Sequence, residues 1–468
     1  MKAPTRNLLP KALESDCRRI AAAVKSAGGH AYIVGGAVRD GLLGIPVKDA
    51  DIEVFGIAPD KLRTLLRADY FVIEVGSSFG VFKLRGIDID VSLPRREAKS
   101  GVGHKAFTVE GDPGMPLAEA ALRRDFTINA LYYDIDKDEV LDPLGGLPDL
   151  EKRLLRHCGP RFGEDPLRVL RAMQFIARFD LTATPETIAI CRAMTMENLP
   201  TERLYEEWHK LIVKGVKLSK GLAFLKDCGW IDYFPELAAL VGCPQDKLWH
   251  PEGDAWVHTL SCMDAFAELR VDDDYEDTVV GLAVLCHDLG KPLTTFTDET
   301  GRIRAFGHDI AGEAPTLSFL ARITRQKQLI ADVLALVKAH MQPAMLHKNH
   351  AGLAAVRRLA MRVRIDRLVR VARADMRGTP PTPHDEAPCD WLLEKAREMA
   401  VQREAPKPLV MGRHLIGMGM KPGGHFTPIL RRIFEAQLEG EFSDLDGGLE
   451  WTRRHQDEWR AGGEKPAS

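Results

Sequence analysis

Apolar and polar positions follow two different periods along the chain. Between Ala31 and Asp142, short apolar runs alternate with turns and with two helical segments, which is the pattern of an α/β domain. From Asp149 almost to the end, the apolar spacing is helical and prolines interrupt it at intervals. We therefore predict an α/β N-terminal part followed by an all-α remainder.

The elements of the N-terminal part can be placed from this pattern. The predicted strands are His30–Val34, Ala50–Phe55, Phe71–Val75, Gly80–Leu84 and Ile87–Leu93. The predicted helices are Leu9–Ala27, Ala37–Leu43 and Pro59–Arg67, and Leu122–Leu131 is expected to begin another. Farther along, Thr379–Pro388 is polar and Pro-rich enough for a linker, and Gly462–Ser468 is expected to be a frayed tail.

Length and composition indicate the class of protein. At 468 residues the chain is too long for one hydrophobic core, and its 45% hydrophobic and 28% charged residues are typical of a globular protein. No apolar run reaches membrane-spanning length and Met1–Pro10 lacks a secretory signal, so we expect a cytoplasmic protein without a membrane partner. The eight scattered cysteines predict buried free thiols. The net charge of −3 argues against indiscriminate binding to polyanions but does not exclude a local basic groove.

A glycine pair and an Asp-x-Asp motif form the first candidate site. Gly35 and Gly36 follow an apolar run, and glycine amides in a turn can close on a phosphate because no Cβ blocks the approach. Asp49 and Asp51 lie two residues apart in the apolar stretch Val47–Phe55, and if the whole stretch is extended, both carboxylates lie on one face. Two such carboxylates suit Mg²⁺, whose other ligands are waters and substrate phosphates. These motifs predict a metal-dependent nucleotide site.

Further polar residues extend this candidate site. Asp88 and Asp90 repeat the alternation on a later strand, and Asp90 would supply the third carboxylate of two-metal chemistry. In the segment Arg123–Asn129, guanidinium forks suit triphosphate oxygens, and Asn129 can hydrogen-bond a ribose hydroxyl. Taken alone, each feature also has an ordinary structural explanation, such as a charged strand face or a helix cap.

The motifs together point to one superfamily. The chain has neither the Gly-Lys-Ser/Thr ending of a P-loop nor a Gly-x-Gly-x-x-Gly after its first strand. An apolar strand, a glycine pair, a short helix and Asp-x-Asp resemble the nucleotidyltransferases of the DNA polymerase β superfamily. Longer motifs resemble class II CCA-adding enzymes, which are tRNA nucleotidyltransferases, and the related bacterial poly(A) polymerases. These motifs are GGAVRD at 35–40, RRDFTINA at 123–130, GEDPLRVLRA at 163–172 and TERLYEEWHKL at 201–211.

The resemblance implies an α+β multidomain fold. It would comprise a polymerase-β-like α/β nucleotidyltransferase head (1–150), an all-α neck with a base-recognition helix (151–215), an HD-type helical body (216–400) and a helical tail that contacts tRNA (401–468). The 201–211 motif would buttress the neck. We also expect Glu164, Arg168 and Arg171 to share one face of the neck helix.

The same resemblance implies roles for individual residues. Asp49 and Asp51 would bind Mg²⁺ and act in catalysis with Asp90. Asp165 and Arg168 would hydrogen-bond the Watson–Crick edge of the incoming base, because C and A both present an amine beside a ring acceptor. The residues expected to bind the nucleotide or shape the loop around it are Gly35, Gly36, Arg39, Asp40, Arg124, Asn129 and Arg171.

A second candidate metal site lies in the helical body. Its residues resemble the His…His-Asp…Asp order of HD-domain phosphohydrolases, with two further histidines; they are His258, His287, Asp288, Asp375, His308 and His340. Imidazoles with carboxylates suit Ni²⁺, Mn²⁺, Co²⁺ or Fe²⁺, which can activate water against a phosphoester. In multifunctional CCA proteins such a domain resembles a 2′,3′-cyclic phosphodiesterase, 2′-nucleotidase and phosphatase, which would repair tRNA ends.

The motifs predict the reaction more closely than the product. We expect addition of CCA to tRNA 3′ ends from CTP and ATP by a monomer or homodimer, with Mg²⁺ in the head and Ni²⁺ or Mn²⁺ in the HD site. A poly(A) polymerase, or an enzyme that adds only CC or only A, would carry the same head motifs. A further alternative is a protein that is mainly a metal-dependent phosphohydrolase. A plain RNA-binding protein is least favoured, because binding a polyanion does not need catalytic carboxylates.

Overall fold

A computed structural model of the chain describes residues 8–75, 80–99, 107–197, 199–380 and 385–461. The chain divides into two compact units, Met1–Tyr233 and Phe234–Ser468. Residues 381–384 of the predicted linker and the predicted tail 462–468 lie outside the described residues. The predicted boundaries of four domains stay a prediction, since the division into two units is coarser.

Most strands of the first unit form one sheet. The strands are β1 His30–Val34, β2 Ala50–Phe55, β3 Val72–Val75, β4 Val81–Leu84, β5 Ile89–Ser92, β6 Arg95–Lys99, β7 Phe107–Gly111, β8 Tyr132–Asp134, β9 Glu139–Leu141, β10 Leu154–Leu155 and β11 Thr182–Ala183. Among the described residues, seven strands form the sheet in the order β3-β4-β5-β2-β1-β8-β9. The five predicted strands are all present, with ends shifted by two residues or fewer.

The register of the sheet brings the predicted carboxylates together. β1 runs antiparallel to β2 with Val34 opposite Asp51, and β2 runs parallel to β5 with Asp51 opposite Asp90. Within β2, Ile52 and Val54 are buried while Asp51 is exposed, so period-two alternation separates the core from the acidic face. The strand begins one residue after Asp49, which therefore precedes β2 instead of lying within it.

Among the helices of the first unit, Leu167–Phe179 is largely buried. The helices are α1 Lys11–Ser26, α2 Gly36–Leu42, α3 Pro59–Asp69, α4 Leu117–Ala121, α5 Gly146–Glu151, α6 Leu167–Phe179, α7 Pro185–Arg192, α8 Thr201–Lys214 and α9 Leu218–Asp227. The predicted helices correspond to α1, α2 and α3. Helix α6 packs against α8 and α9, and Val169, Leu170 and Met173 on it are fully buried. This packing fixes the position of the side of α6 that carries Arg168 and Arg171.

The prediction that Leu122–Leu131 begins a helix is wrong. Phe126 has extended backbone angles, lies opposite His157 in a β-bridge, and is buried against Phe162 and Phe175. Only a 3-10 turn, Thr127–Asn129, follows before β8. Burial of this aromatic side chain and pairing with a distant segment outweigh local helix preference, which is a weak effect.

The prediction that Glu164, Arg168 and Arg171 share one helical face is also wrong. Asp165 has extended angles because the following residue is Pro166, whose ring disfavours the helical conformation of the residue before it. Helix α6 therefore begins at Leu167, and Glu164 ends a separate 3-10 turn. Arg168 and Arg171 remain on α6, three residues apart.

The second unit is largely helical, as predicted. Its helices are α10 Pro235–Ala238, α11 Ala255–Ala267, α12 Asp274–Cys286, α13 Lys291–Thr294, α14 His308–Ala311, α15 Glu313–Ile323, α16 Lys327–Ala339, α17 Gln342–Lys348, α18 Leu353–Ala360, α19 Ile365–Gly378, α20 Ala387–Glu398, α21 Gly412–Gly417, α22 Phe426–Glu439 and α23 Leu445–Ala461. Two short strands, β12 Phe296–Thr297 and β13 Ile303–Arg304, form a hairpin. Helices α11 and α19 approach so closely that a Cβ at Gly378 would collide with Cys262.

One helical stretch, Lys327–Lys348, is long and apolar enough to cross a membrane by length and composition. The expectation of no such run was therefore too strict. Leu329, Val333 and Leu336 of this stretch lie in the core, and His340 lies among the candidate metal ligands. We interpret the stretch as a core helix pair of the second unit, since core helices meet the same criterion.

Candidate functional site

The first unit contains a cleft of about 480 Å³ that both acids and arginines line. The sheet contributes the carboxylates of Asp51, Glu53 and Asp90. The segment after α4 and the helices α6 and α8 contribute guanidinium groups; these belong to Arg123, Arg124, Arg168, Arg171 and Arg203. Carboxylates and guanidiniums in one cleft can hold a divalent cation and a polyphosphate side by side.

The carboxylates around the cleft lie close together, and this proximity disfavours ionisation of Asp51. Asp51 and Asp90 also line a smaller hollow of about 330 Å³, together with Asp49. The pKa of Asp51 is raised above its ordinary value of 3.8, mainly by desolvation and further by Asp90 and Asp49, while Arg124 opposes the shift. A divalent cation would stabilise these charges, so the residues fit Mg²⁺.

Gly35 brings the backbone close to an arginine and an aspartate of the cleft. Its φ of +71° lies in the left-handed region that favours glycine. A Cβ at this position would lie 3.3 Å from Arg124 Nη1 and 3.9 Å from Asp51 Oδ2. Gly36 follows as the first residue of α2 and does not itself line the cleft. The β1–α2 turn can thus present its backbone to a ligand held by Asp51 and Arg124.

Arg124 is paired with an acid that the sequence reasoning missed. Its Nη2 donates to Glu53 Oε2 at 3.2 Å, and its guanidinium lies 5.4 Å from the ring centre of Tyr132. Burial alone would lower the pKa of Arg124, but Glu53 and Tyr132 raise it above its ordinary value, so the side chain stays charged. Glu53 follows Asp51 by two residues on the same strand, so the alternation that identified Asp51 could have found it too.

Arg39 and Asn129, which were expected to bind the nucleotide or to shape the loop around it, are buried in the unit and do not line the cleft. Arg39 donates from Nε to Asp40 at 2.8 Å and from Nη1 to Asn129 Oδ1, and its guanidinium lies 4.3 Å from the ring centre of Phe179. Asn129 donates from Nδ2 to Asp125 Oδ1 at 2.9 Å. Protein partners occupy both side chains, so their geometry favours support of the cleft over contact with a ligand.

Asp125, to which the sequence reasoning gave no role, connects this buried network to the cleft. Its Oδ2 accepts from Arg171 Nε at 2.9 Å and Nη2 at 2.6 Å. Burial would raise the pKa of Asp125, but Arg171 and Asn129 hold it below its ordinary 3.8. Arg171 Nη1 also lies 3.9 Å from Glu207 on α8. The predicted nucleotide ligand Arg171 is therefore fixed at the cleft by two acids.

Asp165 and Arg168, the predicted base-reading pair, both line the cleft. Asp165 Oδ2 accepts from Arg203 Nη2 at 2.8 Å, and Oδ1 accepts from the backbone N–H of Leu167 at 3.1 Å. Arg168 donates to two backbone carbonyl oxygens at 2.8 and 3.0 Å. Both side chains are therefore held in place at the start of α6. Arg203 was expected only to buttress the neck, yet it lines the same cleft.

The second unit brings all six predicted HD ligands into one buried cluster. They come from α11, the end of α12, α14, the end of α16, and α19. His258 Nε2 lies 3.0 Å from Asp375 Oδ1 and 3.8 Å from Asp288 Oδ2. His287 Nε2 lies 3.2 Å from Asp288 Oδ2 and 3.7 Å from Asp375 Oδ1. Such separations fit ligands that are each about 2.1 Å from one shared ion.

Hydrogen bonds at Nδ1 orient the four imidazoles for metal binding. Nδ1 of His287, His308 and His340 lies 2.7, 2.8 and 2.7 Å from a backbone carbonyl oxygen three residues earlier. Nδ1 of His258 lies 2.8 Å from Glu252 Oε1, an acid that the sequence reasoning missed. Such bonds leave the Nε2 lone pairs for a metal. His287 Nε2 is buried without a hydrogen-bond partner among the described residues, as a metal ligand would be.

Asp288 links His258 and His287 to the other two histidines, His308 and His340. Its Oδ1 lies 3.5 Å from His308 Nε2, which lies 3.2 Å from His340 Nε2. Burial lowers the pKa of His340 to about 4, so this imidazole is neutral and able to bind a cation near pH 7. Lys291 Nζ lies 2.6 Å from Asp288 Oδ2 and lines the adjoining cavity. The nitrogen and carboxylate donors suit first-row transition metals.

We expect this cluster to bind Mn²⁺ more tightly as pH rises through neutrality. Burial alone lowers the pKa of His258, but Cys262, Asp375 and Glu252 together raise it well above 6.5. Mn²⁺ must therefore displace a proton, and its affinity should rise about tenfold per pH unit below that pKa. Calorimetric titration of the metal-free protein between about pH 6 and 8 measures this slope. A constant affinity over the range would contradict the predicted proton release.

Nearly all of the sheet and most of the cleft of the first unit lie in a segment that matches a known family model. Residues 31–156 match the family model of the poly A polymerase head domain. This range contains the glycine pair, the three predicted catalytic aspartates, Arg124 and Asn129. The predicted resemblance to that family is thereby confirmed for the head.

Solved structures extend the likeness to nearly the whole chain, and they are CCA-adding enzymes. The Bacillus stearothermophilus enzyme in complex with CTP is 22% identical with a TM-score of 0.64, over 96% of this chain and 100% of that one. The Thermotoga maritima enzyme complexed with tRNA_CCA is 19% identical with a TM-score of 0.62, over 99% of both chains. A CCA-adding enzyme with ATP is 19% identical with a TM-score of 0.61, over 98% and 97%. The chain thus has the fold of CCA-adding enzymes.

Proposed function

We propose that this protein adds CCA to the 3′ end of tRNA from CTP and ATP by metal-dependent nucleotidyl transfer. The proposal is carried by the cleft of the first unit, where Asp51 and Asp90 are in register and Asp165 and Arg168 line the same cavity. The fold shared with CCA-adding enzymes bound to CTP, ATP and tRNA supports the same substrates.

The acids of the cleft would hold the metal and the attacking group. Asp49 and Asp51 offer the hard oxygen ligands that Mg²⁺ prefers. When bound, Mg²⁺ neutralises charge that develops on the transferred phosphate and the departing pyrophosphate. Asp90, which lies 3.1 Å from Lys83 Nζ, would orient the tRNA 3′ hydroxyl and accept its proton. Arg124 would bind phosphate oxygens on the side of Gly35.

The helical side of the cleft would select the base. Asp165 can accept from the exocyclic amine of C or A, and Arg168 can donate to the adjacent ring acceptor. UTP and GTP present a carbonyl where CTP and ATP present an amine, so they would leave Asp165 without a donor. Because these side chains are fixed by the protein, selection needs no nucleic-acid template.

A nucleotide-omission experiment tests the proposal. Purified protein is incubated with Mg²⁺ and tRNA that ends before the CCA. CTP alone should add two residues, ATP alone none, and both together three. Long A tails from ATP alone would indicate a poly(A) polymerase, and arrest after CC with both nucleotides present would indicate a CC-adding enzyme.

We expect Arg203→Ala to weaken base selection more than turnover. Asp165 would lose the 2.8 Å hydrogen bond that orients it, and hydrogen bonds to charged groups contribute about 1.5–3 kcal/mol. The preference for CTP over UTP, measured as a ratio of kcat/KM, should fall about tenfold or more. Arg203→Lys should restore part of it, and Arg192→Ala on α7 is the matched control outside the cleft. An unchanged preference would exclude this positioning role.

A second proposed activity is hydrolysis of phosphoesters by the HD cluster. Four histidines and two aspartates in one cluster support it, together with a buried His287 Nε2 that has no hydrogen-bond partner among the described residues. A bound Ni²⁺ or Mn²⁺ ion would lower the pKa of a coordinated water. The proposed substrates are 2′,3′-cyclic phosphates, 2′-phosphates and phosphomonoesters at RNA ends. Opening a cyclic phosphate to the 2′-phosphate would free the 3′ hydroxyl for extension, and hydrolysis of the remaining monoester would restore the other hydroxyl. Release of 2′-AMP or 3′-AMP from 2′,3′-cyclic AMP with either metal tests this activity.

A further inference from the structure

The HD cluster borders a cavity of about 760 Å³ that also contains two aromatic rings. Asp288, His308 and Asp375 line this cavity together with Trp249 and Phe306. Trp249 is 63% exposed and Phe306 is 70% exposed, although burying such rings is favourable. Single exposed aromatic residues are ordinary on protein surfaces. Two of them in one cavity with a cluster of metal-ligand residues call for a ligand with a flat apolar part.

The segment that carries Trp249 is tied directly to the HD cluster. The next residue, His250, has its Nδ1 2.9 Å from Glu252 Oε1, the same oxygen that orients His258. The backbone N–H of Trp249 donates to Asp246 O at 3.0 Å. The chain segment that carries the indole is therefore held by the same acid, Glu252, that orients His258.

Phe306 is fixed from the other side. It lies two residues before His308, and its ring centre is 6.0 Å from that of Phe296 on the β12–β13 hairpin. Arg302 of the same hairpin donates to Asp246 Oδ2 at 2.8 Å, in the turn that precedes Trp249. The segments that carry Trp249 and Phe306 are thus joined to each other, and each also adjoins the HD cluster.

We propose that Trp249 and Phe306 stack on the base of a nucleoside phosphoester whose phosphate group lies at the HD cluster. The inference rests on the proposed phosphohydrolase activity and specifies its substrate class. A substrate for this cavity must combine a flat aromatic group with an anion, because rings line one part and metal ligands with Lys291 line another. A nucleotide meets both conditions, and stacking is tolerant of base identity. A free mononucleotide and the last nucleotide of an RNA share this chemistry.

The test compares substrates with and without a base. The full-length protein with Mn²⁺ is assayed on adenosine 2′,3′-cyclic phosphate and on methyl riboside 2,3-cyclic phosphate, which has the same sugar and phosphate. We expect kcat/KM to be about tenfold or more higher for the adenosine compound. Trp249→Ala and Phe306→Ala should each remove most of this preference through KM, with kcat little changed, and Trp249→Phe should keep it. Leu293→Ala, which removes a 69% exposed apolar side chain outside the cavity, should have no effect.

Binding measurements separate this inference from the hydrolytic activity. If no substrate is hydrolysed, the proposed activity fails, and calorimetry with 2′-AMP and methyl riboside 2-phosphate still decides the stacking. Tighter binding of 2′-AMP that is lost in Trp249→Ala would support the inference. Equal handling of compounds with and without a base, or binding of neither, would overturn it. A short RNA with a 2′,3′-cyclic end, assayed beside the mononucleotide, shows which of the two substrates is preferred. If Trp249→Ala and Phe306→Ala weaken the reaction of neither substrate, the stacking inference is also overturned.

Discussion

Asp51→Asn should nearly abolish nucleotidyl transfer, with a fall in kcat of at least about 10³-fold. Asp51 lines both the cleft and the adjoining hollow, so it is the one carboxylate of β2 placed to hold Mg²⁺ with either Asp49 or Asp90. Metal stabilisation of transition-state charge contributes several kcal/mol, and about 1.4 kcal/mol corresponds to each factor of ten. Single-turnover extension of tRNA measures the loss.

The same substitution should leave the metal-free protein as stable as before or more stable. The pKa of Asp51 is raised in the folded protein, so the stability that it contributes when protonated is lost as pH rises through that pKa. At pH 7 its charge therefore opposes folding, and Asn removes that charge. The Tm of metal-free Asp51→Asn should equal or exceed that of the wild type, while the rise in Tm caused by Mg²⁺ should shrink. Asp88→Asn, which alters the hollow but not the cleft, is the matched control. Wild-type turnover in Asp51→Asn would contradict the assignment.

His287→Ala should remove the proposed metal binding and the proposed phosphohydrolase activity from the second unit, while nucleotidyl transfer stays within about twofold of wild type. His287 supplies a buried Nε2 close to both Asp288 and Asp375, so its loss leaves those acids without one of their shared partners. We expect Mn²⁺ affinity to fall about 100-fold or more, since loss of residues that merely orient ligands already costs about 10–100-fold. Metal content and calorimetry measure the first effect, and cyclic-phosphate hydrolysis measures the second.

Two variants make this outcome interpretable. His287→Ala leaves a cavity, whereas Asp288→Asn keeps the size of the side chain. If both variants lose the metal, the loss cannot be ascribed to the cavity at His287. His347→Ala removes an imidazole of the same unit that packs on Trp391 outside the cluster, and it should behave as wild type. Retention of full Mn²⁺ affinity in both ligand variants would reject the cluster as a metal site.

The parts of the head that could be predicted are those with local periodicity. In β2, buried Ile52 and Val54 alternate with Asp51, and that alternation predicted both the strand and the face on which Asp51 lies. Phe126 could not be placed in the same way. Its conformation depends on a bridge to His157, a partner far along the chain that no local pattern reveals.

The candidate sites show the same division. The order of residue types predicted His258, His287, Asp288 and Asp375, with His308 and His340 as further candidates. Only the fold shows that Asp288 offers one oxygen to His287 and the other to His308. Arg203 and Asp125 were missed because their importance comes from contacts between elements distant in sequence, with Asp165 in one case and Arg171 in the other. Arg39 was expected to bind the nucleotide or to shape its loop because it lies in the GGAVRD motif, and only the fold shows that it is buried against Phe179.

The most direct test of the account is the 3′-terminal sequence of the product. tRNA lacking CCA is incubated with Mg²⁺ and all four nucleoside triphosphates at equal concentration, and the new 3′ ends are sequenced. The Asp288→Asn protein is used so that the proposed hydrolysis at the HD cluster does not act on the RNA ends. We predict that nearly all extended molecules end in CCA and are not extended further. Tails of A, mixed additions that include U or G, or an unextended tRNA would contradict the account.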